Sequence, residues 1–156
     1  MRLIMLSLVL WLAGAFASPA MVETPFAPGQ VWTLSDPAFS QSQVVIDKVE
    51  MWNNQPIVHI SVLHVPLPSA ADQPQQFTTI QHMPFAENAL RASVATLVRA
   101  DGEPLAAFHD GYQQWQAAHG GVFTITVAMA LKSIIGTLPA RAPPSSTSEK
   151  ASGATN

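Results

Sequence analysis

The sequence predicts an α+β domain in which a small antiparallel sheet of three to four strands, including a hairpin, is covered on one face by about three helices. Two patterns support this prediction. Short β-branched and aromatic runs fill the first half of the chain after its N-terminal segment. In the second half, apolar residues recur at spacings of three and four, as in amphipathic helices. We expect one domain over residues 29–138, an ordinary size for a single folding unit.

The composition limits the function classes. A hydrophobic fraction of 48% is sufficient to form a core, while the charged fraction of 11% is low. Seven Lys and Arg against ten Asp and Glu give a net charge of -3, which disfavours nucleic-acid binding. The chain has no Cys, which removes disulfides, thiol nucleophiles and Cys-ligated metals.

Residues 1–17 have the pattern of a secretory signal peptide. Arg2 precedes an apolar run, Leu3–Leu12, and small residues then lead to a cleavage site after Ala17, with an alternative site after Ala20. As a helix, that run would extend only about 15 Å, too short to cross a bilayer. The segment therefore predicts a periplasmic or secreted protein with no stable membrane span after cleavage.

Two further segments are predicted to lie outside the packed domain. Residues 18–28 contain three Pro and little periodicity, and we expect a flexible approach to the domain. Residues 139–156 are rich in Pro, Ser, Thr and Ala, with no large apolar side chain after Leu138. We expect this tail to be disordered because it has nothing to bury.

The strands are predicted from β-branched and aromatic runs at Gln30–Leu34, Val44–Trp52 and Ile57–Val65. Asn53, Asn54 and Gln55 separate the last two runs, which predicts a hairpin. Phe77–Gln81 is a candidate for a further short strand.

Alternation within Ile57–Val65 divides its side chains between two faces. We expect the core on the face formed by Val58, Ile60 and Val62. The opposite face carries Ile57, His59, Ser61 and Leu63.

The helices are predicted from apolar spacing. Pro84 suits a first helical position, and the pattern then predicts an amphipathic helix to about Ala100, with Glu87 and Arg91 paired on its exposed side. A second helix carries an aromatic stripe at Leu105, Phe108, Tyr112 and Trp115. A third helix begins at about Thr126, and its apolar segment Val127–Leu138 needs cover from the fold or from a second copy of the chain.

The five His are the natural candidates for chemistry near neutral pH. His59 and His64 are five apart on one strand and therefore on opposite faces, which disfavours a shared metal. His109 and His119 diverge around their helix, and His109 beside Asp110 is better read as a surface pair. His82 stands just before a predicted helix start and is the best single candidate.

No catalytic or cofactor motif is present, and Asp47 and Glu50 fall on opposite faces of their strand, so we expect no catalytic residue, no metal and no cofactor. Large aromatic side chains could instead form a recognition groove. The candidate binding residues are His82, Trp32, Trp52, Tyr112 and Trp115.

These observations leave three hypotheses. The first is a non-enzymatic exported domain that binds a protein or a small molecule. The second is a small hydrolase or metal-dependent enzyme in which folding brings His82 to His59 or His64. The third is an envelope component that oligomerises through Val127–Leu138.

Three segments resemble a family of small uncharacterised bacterial proteins, often exported, with no assigned activity. They are Pro28–Trp32, His82–Phe85 leading into Leu90, and Gly111–Trp115 continuing to Gly120–Thr124. The resemblance extends from about Pro28 to Ala130 and implies a bacterial origin, a periplasmic location and a domain used as a unit. It implies no catalytic residue.

Overall fold

The computed structural model describes residues 24–69 and 73–137. The predicted signal peptide, both cleavage sites, part of the flexible N-terminal segment, Leu138 and the C-terminal tail lie outside the described residues. The elements are β1 (Val31–Leu34), a short 3-10 helix (Pro37–Phe39), β2 (Gln43–Trp52), β3 (Gln55–Pro66), β4 (Phe77–Ala86), α1 (Glu87–Arg91), β5 (Val94–Arg99), α2 (Phe108–Ala117) and α3 (Val127–Gly136).

The strands form one antiparallel sheet of five in the order β4-β3-β2-β1-β5. The predicted hairpin joins β2 to β3. Its turn residues Asn53 and Asn54 have φ of 48° and 61°, left-handed values that Asn tolerates and that a tight hairpin turn requires. This part of the prediction is confirmed.

The predicted helix from Pro84 to Ala100 is wrong. Pro84 lies within β4, a strand at the edge of the sheet, where its missing N–H costs no interior ladder bond. The helix is confined to α1, where Glu87 and Arg91 form the expected ion pair at 3.1 Å. The residues after α1 form β5, which pairs with the free edge of β1. The sheet therefore has five strands rather than three to four.

The core lies on the face predicted for it. Val58, Ile60 and Val62 are fully buried and pack in one cluster with residues of α3, including Leu131. The opposite face is covered as well, because α2 packs its Trp115 against His59. The helices therefore contact different faces of the sheet, in place of the single covered face that we expected. Among the described residues, none of the helices is long and apolar enough to cross a membrane.

Met129 lies on the outer side of α3 and is 55% exposed. We expect Met129→Lys to change the free energy of unfolding by less than about 0.5 kcal/mol, because a surface substitution leaves the packing intact. Leu131→Ala, at a fully buried position in the same helix, should cost about 3 kcal/mol. Urea denaturation of both variants checks this, and a large loss in Met129→Lys would place that side of α3 in an interface.

Candidate functional site

Two β-bulges determine which polar side chains meet on the face beneath α2. In β2, one extra residue lies between Ile46 and Lys48, and that residue is Asp47. In β4, one extra residue lies between the positions that pair with Ile60 and Val62 of β3. Because each extra residue reverses the alternation beyond it, a bulge can bring side chains to one face that a regular strand would separate.

The bulge in β2 overturns the expectation that Asp47 and Glu50 occupy opposite faces. Asp47 contacts Ser61, whose Oγ lies 2.7 Å from its Oδ2. Glu50 contacts His59, and Ser61 and His59 are two residues apart on the same side of β3. Both carboxyl groups therefore lie beneath α2.

Glu50, His59 and His82 form a continuous hydrogen-bonded chain across three strands. Nε2 of His59 lies 2.9 Å from Oε1 of Glu50, and Nδ1 of His59 lies 3.0 Å from Nε2 of His82. The two imidazole rings are stacked, with 5.3 Å between their centroids and an interplanar angle of 15°. The structure thus brings together two of the five His and a carboxylate that are distant in sequence.

A second set of contacts fixes the carboxylate end of this chain. Lys48 Nζ lies 2.6 Å from Oε2 of Glu50 and also donates to the hydroxyl of Tyr112. That hydroxyl donates to Glu50 and accepts from Gln116 Nε2 at 2.8 Å. Glu50 is therefore held by side chains of β2, β3 and α2 together.

The surroundings shift the pKa values of these groups in different directions. Burial would raise the pKa of Glu50, but hydrogen bonds from Lys48, Tyr112 and His59 lower it below its usual value. Burial lowers the pKa of His59 more than the Glu50 carboxylate raises it. Burial, assisted by the neighbouring His59, lowers the pKa of His82 to about 4. At neutral pH the chain consists of an ionised Glu50 and two neutral imidazoles.

These protonation states fix the direction of each hydrogen bond. An ionised Glu50 only accepts, so Nε2 of His59 carries the proton and its Nδ1 accepts. Nε2 of His82 must then donate to His59, which leaves the lone pair of His82 on its Nδ1. That Nδ1 has no partner among the described residues and is not fully buried, because every buried side-chain nitrogen and oxygen there has a partner. The chain ends at an unpaired hydrogen-bond acceptor.

Aromatic rings of α2 pack against the two imidazoles. The ring centroids of Phe108, Tyr112 and Trp115 lie 5.5 Å, 6.0 Å and 6.1 Å from that of His82. Trp52, 37% exposed, packs against Trp115 with 5.1 Å between ring centroids. It also lines a cavity of about 210 Å³ at the hairpin end of the sheet.

The candidate binding residues therefore divide into two groups. His82, Tyr112, Trp115 and Trp52 form one contiguous row beneath and beside α2. Trp32 belongs to the core instead, where its indole N–H donates to Gln30 at 3.0 Å and its ring meets Phe26 edge-on.

Gly111 allows α2 to lie directly on His82. A Cβ at this position would stand 2.6 Å from Cβ of His82. The glycine weakens the helix by about 1 kcal/mol relative to Ala, and this close contact is the structural reason for it. Gly111 thus sets the distance between α2 and the acceptor.

The remaining three His stand apart from this site. His64 is exposed and contacts only the ring of Phe77 among the described aromatic residues. His109 pairs with Gln113 on the outer side of α2, and His119 follows the helix with φ of 50°. Within residues 24–69 and 73–137, no three His, Asp or Glu side chains are grouped so as to hold a metal ion.

Sequence reasoning missed Lys48, Glu50 and Gln116 as parts of the site. The signal for Lys48 and Glu50 was a pair of charges inside an otherwise apolar strand, two residues apart and close to Asp47. Charged residues within a β-branched run must form ion pairs or hydrogen bonds when the strand is buried on both faces.

Comparison with known protein families, with curated proteins and with solved structures finds no match for this chain.

Proposed function

We propose that this protein is a binding domain whose ligand donates a hydrogen bond to Nδ1 of His82. The observation that carries the proposal is the chain from Glu50 through His59, which fixes the tautomer of His82 and leaves its Nδ1 as an unpaired acceptor that is not fully buried. An acceptor held in one orientation before binding loses little entropy when a ligand engages it.

The low pKa of His82 favours binding over proton transfer. With a pKa of about 4, the imidazole stays neutral at pH 7 and keeps its lone pair free for a donor. The same low pKa makes it a weak base, whereas general bases work best with a pKa near the pH of the reaction. A neutral hydrogen-bond acceptor is therefore the role that suits this group.

The surroundings of His82 indicate the ligand class. Phe108 is half-buried and its ring stands tilted at 5.5 Å from His82, so it offers apolar surface beside the acceptor. A ligand that uses both would have a planar or otherwise apolar ring carrying an O–H or N–H donor. We propose this activity for the exported, periplasmic location that the N-terminal segment predicts.

Phenol and anisole form a matched pair of probes, because anisole keeps the ring and lacks the donor. We expect phenol to shift the His82 ring signals saturably in NMR titrations and anisole to bind at least tenfold more weakly. His82→Phe, which removes the acceptor and keeps an aromatic ring, should reduce phenol affinity to that of anisole.

Trp52 provides the internal control, because its indole N–H signal reports the separate cavity at the hairpin end. Phenol that shifted Trp52 and left His82 unchanged would move the site away from His82. Equal affinity for phenol and anisole, or no saturable shift of His82, would refute the proposal.

The same chain supports a second candidate, a water-activating enzyme in which Glu50 and His59 polarise His82 as a base. Hydrolysis of 4-nitrophenyl acetate distinguishes the two. A rate more than about 100-fold above that of His82→Gln would favour the enzyme, and equal rates would favour binding.

Oligomerisation through α3 remains a prediction. Four apolar residues of this helix are already buried in the fold: Val127, Ala128, Ala130 and Leu131.

A further inference from the structure

The hydroxyl of Ser61 lies within hydrogen-bond distance of two oxygen atoms, and it has one proton to donate. Its Oγ is 2.6 Å from the backbone oxygen of Gln81 and 2.7 Å from Oδ2 of Asp47. Gln81 O can only accept, and a hydroxyl has one proton to donate. If Ser61 donates to Gln81, the short contact to Asp47 needs a proton from Asp47 itself.

We infer that Asp47 is a neutral carboxylic acid in the folded protein at mildly acidic pH and that in this form it positions α2 over His82. Its protonated Oδ2 donates to Ser61, and Ser61 donates to Gln81. Its Oδ1 accepts the backbone N–H of Leu105 at 2.9 Å. With this assignment, every short contact around Asp47 is a hydrogen bond with one proton.

Burial supports this assignment. Asp47 is 5% exposed, and desolvation raises its pKa to about 6, although Ser61 and the Leu105 N–H would donate to the charged form and oppose the rise. The site thus disfavours the charged form and accommodates the neutral one.

The charged neighbours of Asp47 are engaged elsewhere. On the same face, Lys48 and Glu50 of β2 form an ion pair with each other. His59 of β3 and His82 of β4 are hydrogen-bonded to each other as neutral imidazoles. The loop before α2 contributes Asp101 and Glu103, which are exposed. The hydrogen bonds of Asp47 go to Ser61 and Leu105.

Leu105 is the link from Asp47 to α2. Its carbonyl oxygen accepts the N–H of Phe108, the first residue of α2, at 3.0 Å. Asp47 therefore holds the turn from which the helix starts, on the same face as His82. Ionisation would leave a charged carboxylate buried beneath that turn, so rising pH should lower the stability of the fold. Any effect on ligand affinity rests on the proposed function, whereas the protonation state does not.

The direct test is the titration of the Asp47 carboxyl carbon by NMR in the full chain. We expect a midpoint near 6 rather than the ordinary 3.8, accompanied by a shift of the Leu105 amide signal over the same interval. A midpoint near 3.8 would overturn the inference. This measurement needs neither a variant nor a ligand, so it can fail independently of the binding proposal.

Asp47→Asn supplies the functional comparison, because the amide mimics the neutral acid with a donor and an acceptor. The raised pKa stabilises the fold below 3.8, and this stabilisation is lost as pH rises through about 6. We therefore expect the variant to match the wild type at pH 4 and to have a folding constant at least tenfold higher at pH 8.

Asp101→Asn is the control, because Asp101 is exposed in the loop before α2. The stability of this variant should match that of the wild type at both pH values. The inference would also be wrong if Asp47→Asn and the wild type kept a constant difference in stability from pH 4 to pH 8. Loss of the Leu105 amide shift in Asp47→Asn would confirm the link to α2.

Discussion

Replacing Glu50 with alanine is expected to lower the free energy of unfolding by about 3 kcal/mol, the largest effect of any single substitution in the site. The carboxylate accepts from His59, Tyr112 and Lys48 at once. His59 is fully buried, so its ring N–H would be left without a partner and without water. Urea denaturation followed by circular dichroism measures the loss.

Glu50→Gln is the matched control, because it keeps one acceptor oxygen for the N–H of His59. We expect it to cost about 1 kcal/mol, since the amide loses the charge that Lys48 and Tyr112 engage. The difference between the variants isolates the cost of the unpaired imidazole. Equal losses would show that charge, rather than hydrogen bonding, dominates, and a loss below about 0.5 kcal/mol in Glu50→Ala would mean that the network adds little.

Gly111→Ala is expected to destabilise the fold by about 2 kcal/mol, although alanine is the better helix former. The new methyl group would stand 2.6 Å from Cβ of His82, which requires either α2 or β4 to move. This overlap outweighs the gain of about 1 kcal/mol in helix propensity. The ring signals of His82 should shift in NMR spectra, because the helix above them is displaced.

Gly136→Ala in α3 makes the same change where nothing lies within 4 Å of the new Cβ. Its effect should be neutral or stabilising, up to about 1 kcal/mol. If both variants gained stability, α2 would tolerate the methyl group and the close contact with His82 would not constrain the helix.

The sequence was sufficient to locate the hairpin, α2, α3 and the core face of β3. In each of them the apolar residues follow a single spacing, and turn or capping residues mark the ends. Sequence reasoning failed between Pro84 and Ala100, where Leu90, Val94 and Leu97 fit a helical spacing. Val94 and Leu97 of β5 pack against the core from a strand instead, since pairing with β1 outweighs local propensity.

The site was only half predictable for a related reason. His82, Tyr112, Trp115 and Trp52 were recognisable by residue type. The meeting of Asp47, Lys48 and Glu50 on one face depends on a bulge, and a bulge leaves no signature in a run of β-branched residues. Strict alternation along β2 therefore predicted Asp47 and Glu50 on opposite faces, although the two side chains lie on the same face in the structure.

The pKa shifts of Asp47 and His82 have opposite consequences in acid. His82 binds protons more weakly in the folded state, so its contribution to stability is present above 6.5 and declines as pH falls towards about 4. Asp47 contributes in the reverse direction between about 6 and 3.8. These two effects oppose each other, while the lowered pKa values of His59 and Glu50 act in the same direction as that of His82. Mild acidification therefore changes which groups beneath α2 carry protons and weakens the network around Glu50.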